Sequence, residues 1–221
     1  MASETLTTSD TTRGEGKRRA ILQVAHDVFL AQGYAATSMS EIAARLGGSK
    51  GTLYNYFRSK EELFSAFMSD VCVGQAAIYF DPVMKSVEGK SVRESLIDIG
   101  VSLLEFLLLE DIIAVHRLVV AEADRFPELG RLFYEAGPHR GEVRFTEYFR
   151  QAMAAGRIPE DDPKVVGQRL KDLVMSDVYL RRLWGVAGDL DATTLRAHVT
   201  QSVDIFLRAF GPARTGPPHT T

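Results

Sequence analysis

Residues 38–62 constrain the fold of this chain more than any other stretch, because they ask two very short helices to be stable. Helices that short are marginal in water on their own, so the pair needs explicit start and stop signals and a surface to pack on. Both are present. Ser38, followed three residues later by Glu41, has the form of a capping box for a helix over 39–46, and Ile42, Ala43 and Leu46 make its apolar stripe. Gly47 and Gly48 permit the positive φ that a tight turn needs. Ser49 is placed to cap a second helix over 50–56, whose inner face is Leu53 with Phe57 four residues on. Ser59-Lys60-Glu61-Glu62 is a further capping box, opening a long helix over 60–80 that Asp81-Pro82 bends or ends.

The spacing inside the pair points to a use. Ala43, Gly47 and Leu53 stand four and ten residues apart, the arrangement of a helix-turn-helix. A small residue allows close approach, a glycine makes the turn, and an apolar residue packs back on the first helix. In such a unit the second helix enters the major groove of double-stranded DNA and presents side chains to base edges. The outward positions hold Lys50, Thr52, Tyr54, Asn55 and Tyr56, donors with aromatic bulk. Lys60 stands beside the free N–H groups of a helix start, a natural phosphate clamp. Charge agrees once it is divided. The 221-residue chain has 26 Lys+Arg against 29 Asp+Glu, a formal −3 that by itself argues against nucleic acid. Yet residues 13–60 carry +5, residues 1–12 carry −2 and residues 61–221 carry −6. A small basic head precedes a larger acidic body.

Residues 18–68, and above all 37–64 (TSMSEIAARLGGSKGTLYNYFRSKEELF), closely resemble the N-terminal domain of the TetR family of bacterial transcriptional regulators. The resemblance covers about a quarter of the chain and rests on a highly specific motif, S-K-G-T-L-Y-x-Y/H-F-x-S/T-K-E-x-L. One departure is Gly48, where many relatives carry an apolar residue. The resemblance implies a homodimer that sets one helix-turn-helix per subunit in successive major grooves of a palindromic operator. It also implies a helical C-terminal domain that dimerises and binds a small-molecule effector. Carried over position by position, it implies contacts from Ser49, Lys50, Gly51, Thr52 and Asn55 to bases or nearby phosphates. Tyr54 and Tyr56 would touch the backbone and Lys60 a phosphate, with Ser38 and Ser40 as further backbone candidates. For Asn55 the adenine edge is the geometric favourite, worth ~1–3 kcal/mol.

The rest of the chain repeats the helical period. Apolar residues recur at helical spacing, Gly and Pro punctuate at helix-length intervals, and no period-2 strand stands out. The expected fold is therefore all-α: an N-terminal three-helix DNA-binding domain with a helix-turn-helix, followed by a larger helical ligand-binding and dimerisation domain. The first helix is expected over 16–32, with Ile21, Ala25, Val28 and Phe29 on one face and Gly33 as its stop. Later helices are expected over 92–109, 111–124, 127–136, 138–155, 163–184 and 192–210, with Pro127, Pro138 and Pro163 in first turns. The domain plan that follows is a disordered tail at 1–13, a DNA-binding domain at 14–60 linked through the helix 61–80, a regulatory and dimerisation domain at 81–210, and a disordered tail at 211–221. Residues 1–12 lack the apolar core of a signal peptide. The most apolar stretch, 101–123, is broken by Glu105, Glu110, Asp111 and Arg117. A cytoplasmic protein with no membrane partner is the expectation.

The five histidines share no ligand spacing with one another or with the single cysteine, Cys72, and no phosphate loop, nucleotide fingerprint or nucleophile elbow is present. Glu122 and Asp124 read as an ordinary helix-surface pair. No catalytic residue, metal or cofactor is expected, and Cys72 reads as a small packed residue. The last two long helices carry apolar stripes: Val166, Leu170, Leu173, Val174, Leu180 and Trp184 in one, and Leu195, Val199, Val203, Phe206 and Phe210 in the other. The resemblance implies that 163–184 and 192–210 pair with their twofold mates, and a twofold operator asks for a twofold reader. Residues 117–140 (RLVVAEADRFPELGRLFYEAGPHR) further resemble the C-terminal domains of the AefR-like subgroup. An effector cavity should be mostly apolar with a few polar anchors. Its candidate lining is Phe106, His116, Phe133 and Tyr134, together with Phe145, Phe149 and Met175. The expected function is a repressor released from its operator by a small molecule. The alternatives are an activator of the same fold, or a helical small-molecule-binding protein that binds no operator.

Overall fold

The computed structural model describes residues 5–85, 89–188 and 190–212, and every element among them is helical. Helix α1 (Thr5–Ala36) leads to two short helices, α2 (Met39–Arg45) and α3 (Lys50–Tyr56). Helix α4 (Lys60–Ser69), a π-helical turn (Asp70–Gly74) and α5 (Gln75–Lys85) follow. Then come α6 (Val92–Leu107), α7 (Glu110–Glu122), α8 (Pro127–Ala136), α9 (Pro138–Ala154), α10 (Pro163–Leu183) and α11 (Ala192–Phe210). The chain forms two compact units. One takes the residues up to Gly74 together with Ala114–Ala136; the other takes Gln75–Ile113 together with the residues from Gly137 onward.

The first unit is built on aromatic rings. Phe29 of α1 meets Phe64 of α4 edge-on at 5.0 Å, Tyr34 meets Phe64 at 5.0 Å, and Phe67 closes the group at 5.6 Å from Phe29. Ile21, Ala25, Val28, Ile42 and Leu53 complete the core, as their spacing required. The segment Ala114–Ala136, inside the domain expected over 81–210, packs as part of the first compact unit. Phe126 lies edge-on against Tyr34 at 5.1 Å, and Leu129 is fully buried as α8 packs on α4. Such long-range packing leaves no local trace in the chain. The stretch Lys60–Val83 is long and apolar enough to cross a membrane by length and composition. Its Leu63, Phe64, Phe67 and Met68 are committed to this core instead.

Three boundaries differ from the sequence expectation. Helix α1 already runs from Thr5, inside the stretch 1–13 expected to be disordered. Extending a helix needs no new nucleus, because each added residue brings its own backbone hydrogen bond. Gly33 does not stop α1 but breaks it, with φ 82° and ψ 169°, and the helix resumes past it. Pro82 sits inside α5, which continues past it to Lys85 although proline has no N–H to give to the helix. Residues 1–4, and residues 213–221 of the second expected tail, lie outside the described residues.

In the second unit, α6 is buried nearly all round and packs on α5, α10 and α11, while α9 packs on α10. Small residues make the approach possible. A Cβ on Gly100 would stand 2.7 Å from Val199 Cγ1 and 3.2 Å from Val174 Cγ2, and one on Gly167 would stand 3.1 Å from Phe145 Cβ. Helix α10 is broken at Ser176 (φ 43°, ψ −148°). The carbonyls of Leu173 and Val174, just before the break, find partners on α11: Ser202 Oγ donates to the first at 3.0 Å, and His198 Nε2 lies 2.9 Å from the second. The break also shifts the helical phase. Tyr179 is buried, whereas Leu180 and Trp184, expected on the inward stripe, are 41% and 68% exposed. The α11 stripe of Leu195, Val199, Val203 and Phe206 is buried as expected.

Candidate nucleic-acid interface

Three serines start three helices. Ser38 Oγ accepts from Glu41 N–H at 3.2 Å, Ser49 Oγ from Thr52 N–H at 3.2 Å, and Ser59 Oγ from Glu62 N–H at 3.1 Å. The return arms of the two expected capping boxes go elsewhere. Glu41 takes Gln32 Nε2 at 2.7 Å and Arg45 at 3.0 Å, and Glu62 accepts from Arg58 N–H at 2.7 Å. Glu41 thus has both carboxylate oxygens taken by side chains, one from α1 and one from the end of its own helix. Between α2 and α3, Gly47 alone takes a positive φ, 64°. Its N–H bonds to Ala44 O at 3.1 Å and that of Gly48 to Ala43 O at 3.2 Å, the two-bond closure of a helix on a left-handed residue. Gly48 needs no special backbone, so its departure from the common pattern leaves the turn intact.

Of α3, only Leu53 is buried, with Phe57 buried just past its end. Lys50, Gly51, Tyr54 and Asn55 are exposed, Tyr54 by 47%, while Thr52 and Tyr56 are half-buried. Thr52 Oγ1 lies 3.1 Å from Ser49 Oγ, which ties that hydroxyl to the cap. Ser38, Ser40 and Ser49 are exposed as well, so all these candidates except Lys60 gather around α2, the turn and α3. Arg18 was counted in the basic head but could not be placed from sequence. Its guanidinium lies 5.4 Å over the Phe57 ring, which brings the basic turn 17–19 beside the end of α3.

Lys60 is engaged differently from expectation. Its ammonium donates to Tyr34 O at 2.9 Å and Thr37 O at 3.0 Å, and sits 4.1 Å over the Tyr34 ring. Two of its three donors thus tie the start of α4 to the end of α1. Tyr34 Oη donates to Glu61 Oε1 at 3.1 Å. Burial, reinforced by the Glu61 charge, raises the Tyr34 hydroxyl's pKa. Backbone hydrogen bonding at the helix start holds the Glu61 carboxyl below its usual range. The donor and acceptor roles are therefore fixed.

The seven candidates for an effector cavity separate between the units. His116, Phe133 and Tyr134 belong to the first, where His116 lies 5.3 Å from Phe133 and burial lowers its pKa. Phe106, Phe145, Phe149 and Met175 belong to the second. There Phe106 packs on Phe80 at 5.7 Å and Phe149 on Phe206 at 5.6 Å, which is core packing. A cavity of about 360 Å³ in the second unit is lined by other residues: Tyr79, Leu108, Leu109, Leu190 and Leu195, with Glu105 and Arg182 as its charged groups. Arg182 also pairs with Glu110 at 2.5 Å. Leucines on a helical stripe carry no mark in the sequence that separates a cavity wall from core. Cys72 is buried in the π-helical turn, and burial pushes its thiol up to about 11.

Residues 21–67 match the model of bacterial regulatory proteins of the tetR family, and residues 94–212 match that of the AefR-like transcriptional repressor C-terminal domain. The chain is similar to the HTH-type transcriptional regulator UidR of Escherichia coli (strain K12), 25% identical over 185 residues that span 83% of this chain and 86% of UidR. Among solved structures, a TetR-family transcriptional regulator from Mesorhizobium loti is 29% identical with a TM-score of 0.80, covering 90% of this chain and 99% of that one. The flavonoid-responsive regulator FrrA is 30% identical with a TM-score of 0.76, covering 90% of this chain and 99% of FrrA.

Proposed function

The chain belongs to the TetR family of bacterial transcriptional regulators, and from that premise we propose that it is a repressor whose two copies hold a palindromic operator until a small molecule releases them. It is a DNA-binding transcriptional regulator, and its relatives regulate transcription rather than catalyse reactions. One observation carries the reading of the interface. Helix α3 is fully accounted for by its Ser49 cap and by Leu53 and Phe57 beneath it, yet it leaves Lys50, Gly51, Tyr54 and Asn55 outside. Those four, with Ser49 and Thr52, approach bases and nearby phosphates. Tyr56, Ser38 and Ser40 approach the sugar-phosphate backbone, and Lys60 offers it one remaining donor.

A twofold operator calls for a twofold protein. Exposed Leu180, Trp184, Val186 and Ile205, on α10, the turn after it and α11, support pairing of these helices with their mates. The open groove along α11, about 830 Å³, has Ala192, Ala197 and Thr200 along it and is flanked by Arg196, Asp204 and Arg208, a mixed surface on which a second helix could lie. The effector occupies the second unit, where the cavity at Tyr79 and Leu195 is a candidate site. FrrA's response to flavonoids makes planar aromatic compounds the first class to screen. The chain passes between units at 74–75, 113–114 and 136–137, so the π-helical turn and α7 are the routes for a signal. An effector shifts the equilibrium only by its differential affinity for the two states. The protein acts in the cytoplasm, beside its DNA.

The test is selection of fragmented genomic DNA on the purified full-length protein, followed by footprinting. A twofold-symmetric protected site is expected, with Asn55→Ala relaxing preference at one position per half-site. Absence of any preferred sequence at moderate salt overturns the operator reading. Reduced transcription of the adjoining gene on deletion of the regulator makes it an activator instead.

A further inference from the structure

The break in α1 at Gly33 comes five residues before Ser38 opens the DNA-reading pair. The segment between them is held from three sides. Thr37 Oγ1 donates to Gly33 O at 2.7 Å, and Lys60 Nζ donates to the carbonyls of Tyr34 and Thr37. The third hold comes from 87 residues along the chain: Ala35 N–H donates to Glu122 Oε1 at 3.1 Å. A Cβ on residue 33 would meet that same oxygen at 2.9 Å. Glycine is demanded there by its positive φ, and any larger residue would also press on the carboxylate.

Glu122 is an odd residue for its place. It ends α7, where the negative end of the helix dipole disfavours a carboxylate, so a bond made outside the helix accounts for it. The backbone there is fixed as well: Glu122 O accepts from Arg125 N–H at 3.1 Å and Phe126 N–H at 2.8 Å. The first residues of α7, up to Ile113, belong to the second unit. One helix therefore carries the chain from that unit to the segment 33–37.

From this geometry we infer that Glu122 is a positioning residue for DNA reading. Its carboxylate sets the direction in which the chain leaves α1, and so the placement of α2 and α3. The inference rests on the operator reading above and deepens it.

Full-length Glu122→Ala and Glu122→Gln variants test it. Backbone hydrogen exchange of the DNA-free protein comes first, because it needs no operator. Residues 34–40 should exchange about tenfold faster in Glu122→Ala, the loss of one bond to a charged acceptor, and within about threefold of wild type in Glu122→Gln, which keeps a carbonyl oxygen there. Equal exchange in all three proteins overturns the inference whatever the DNA does. Affinity is then measured for the selected operator and for a scrambled duplex. Glu122→Ala should lower the operator-to-scrambled ratio about tenfold and Glu122→Gln should recover most of it. Simple unfolding lowers both affinities and leaves the ratio unchanged. An unchanged ratio beside raised exchange overturns the positioning role. A wild type with no preferred sequence defeats the operator reading instead, and the exchange data still decide whether Glu122 holds residues 33–37.

Discussion

Helices α3 and α6 use their residues in opposite ways. Helix α6 buries nine of its sixteen residues, including Ser95, Gly100 and Ser102, and is held by packing on α5, α10 and α11. Helix α3 buries one of seven and is held by its ends, the Ser49 cap and the Phe57 N–H returning to Leu53 O. Where packing accounts for most of a helix, as in α6, little is left over to explain by function. Where capping suffices and four residues stay outside, as in α3, the surplus is the interface.

If this contrast is right, substitutions in α6 act on stability and those in α3 act on DNA. The largest effect expected is Leu104→Ala, at a fully buried α6 position. It should cost ~2–5 kcal/mol of unfolding free energy in urea titrations, with operator affinity per folded molecule unchanged. Asn55→Ala is the counterpart. It should weaken one operator position per half-site by ~1–3 kcal/mol and move stability by less than about 0.5 kcal/mol. A swap of these outcomes breaks the contrast.

Lys60→Met sharpens it, because Lys60 stands at the border of the two roles. Its two bonds to carbonyls predict a stability loss of about 1–2 kcal/mol, together with a drop of less than one in the slope of log affinity against log salt. A full unit of slope with no loss of stability would return Lys60 to a pure phosphate clamp. The smallest effect belongs to His116. Burial lowers its pKa in the folded state, so the unfolded chain takes up the proton first. Its contribution is complete above the ordinary histidine value and is lost as pH falls through the lowered one. The urea midpoint should fall between about pH 8 and pH 5.5, and His116→Gln should flatten that fall by a few tenths of a kcal/mol.

The reading head was legible because everything that makes it is close in sequence. Caps at Ser38, Ser49 and Ser59, the Gly47 turn, and Leu53 against the first helix lie within about one turn or one loop of their partners. Local geometry cannot satisfy those groups in many other ways. The return arms of the capping boxes were misjudged for the same reason in reverse. Glu41 found Gln32 and Arg45, and which donor wins depends in part on a side chain of the neighbouring helix α1. The effector candidates are divided between the two units. Aromatic residues at helical spacing mark a buried face without saying whether it meets protein or a cavity, and His116 and Phe106 proved to lie in different compact units.

The all-helical architecture and the helix-turn-helix followed from residue order alone, since helical period, caps and turns are short-range constraints. Packing over long separations decided the rest. It placed Ala114–Ala136 with the first unit, broke α10 at Ser176 where Ser202 and His198 meet the carbonyls of Leu173 and Val174, and seated Glu122 over Gly33. A residue's own neighbours dictate whether it joins a helix. They carry no record of which distant backbone group its side chain will satisfy, because that partner is chosen only when the core closes.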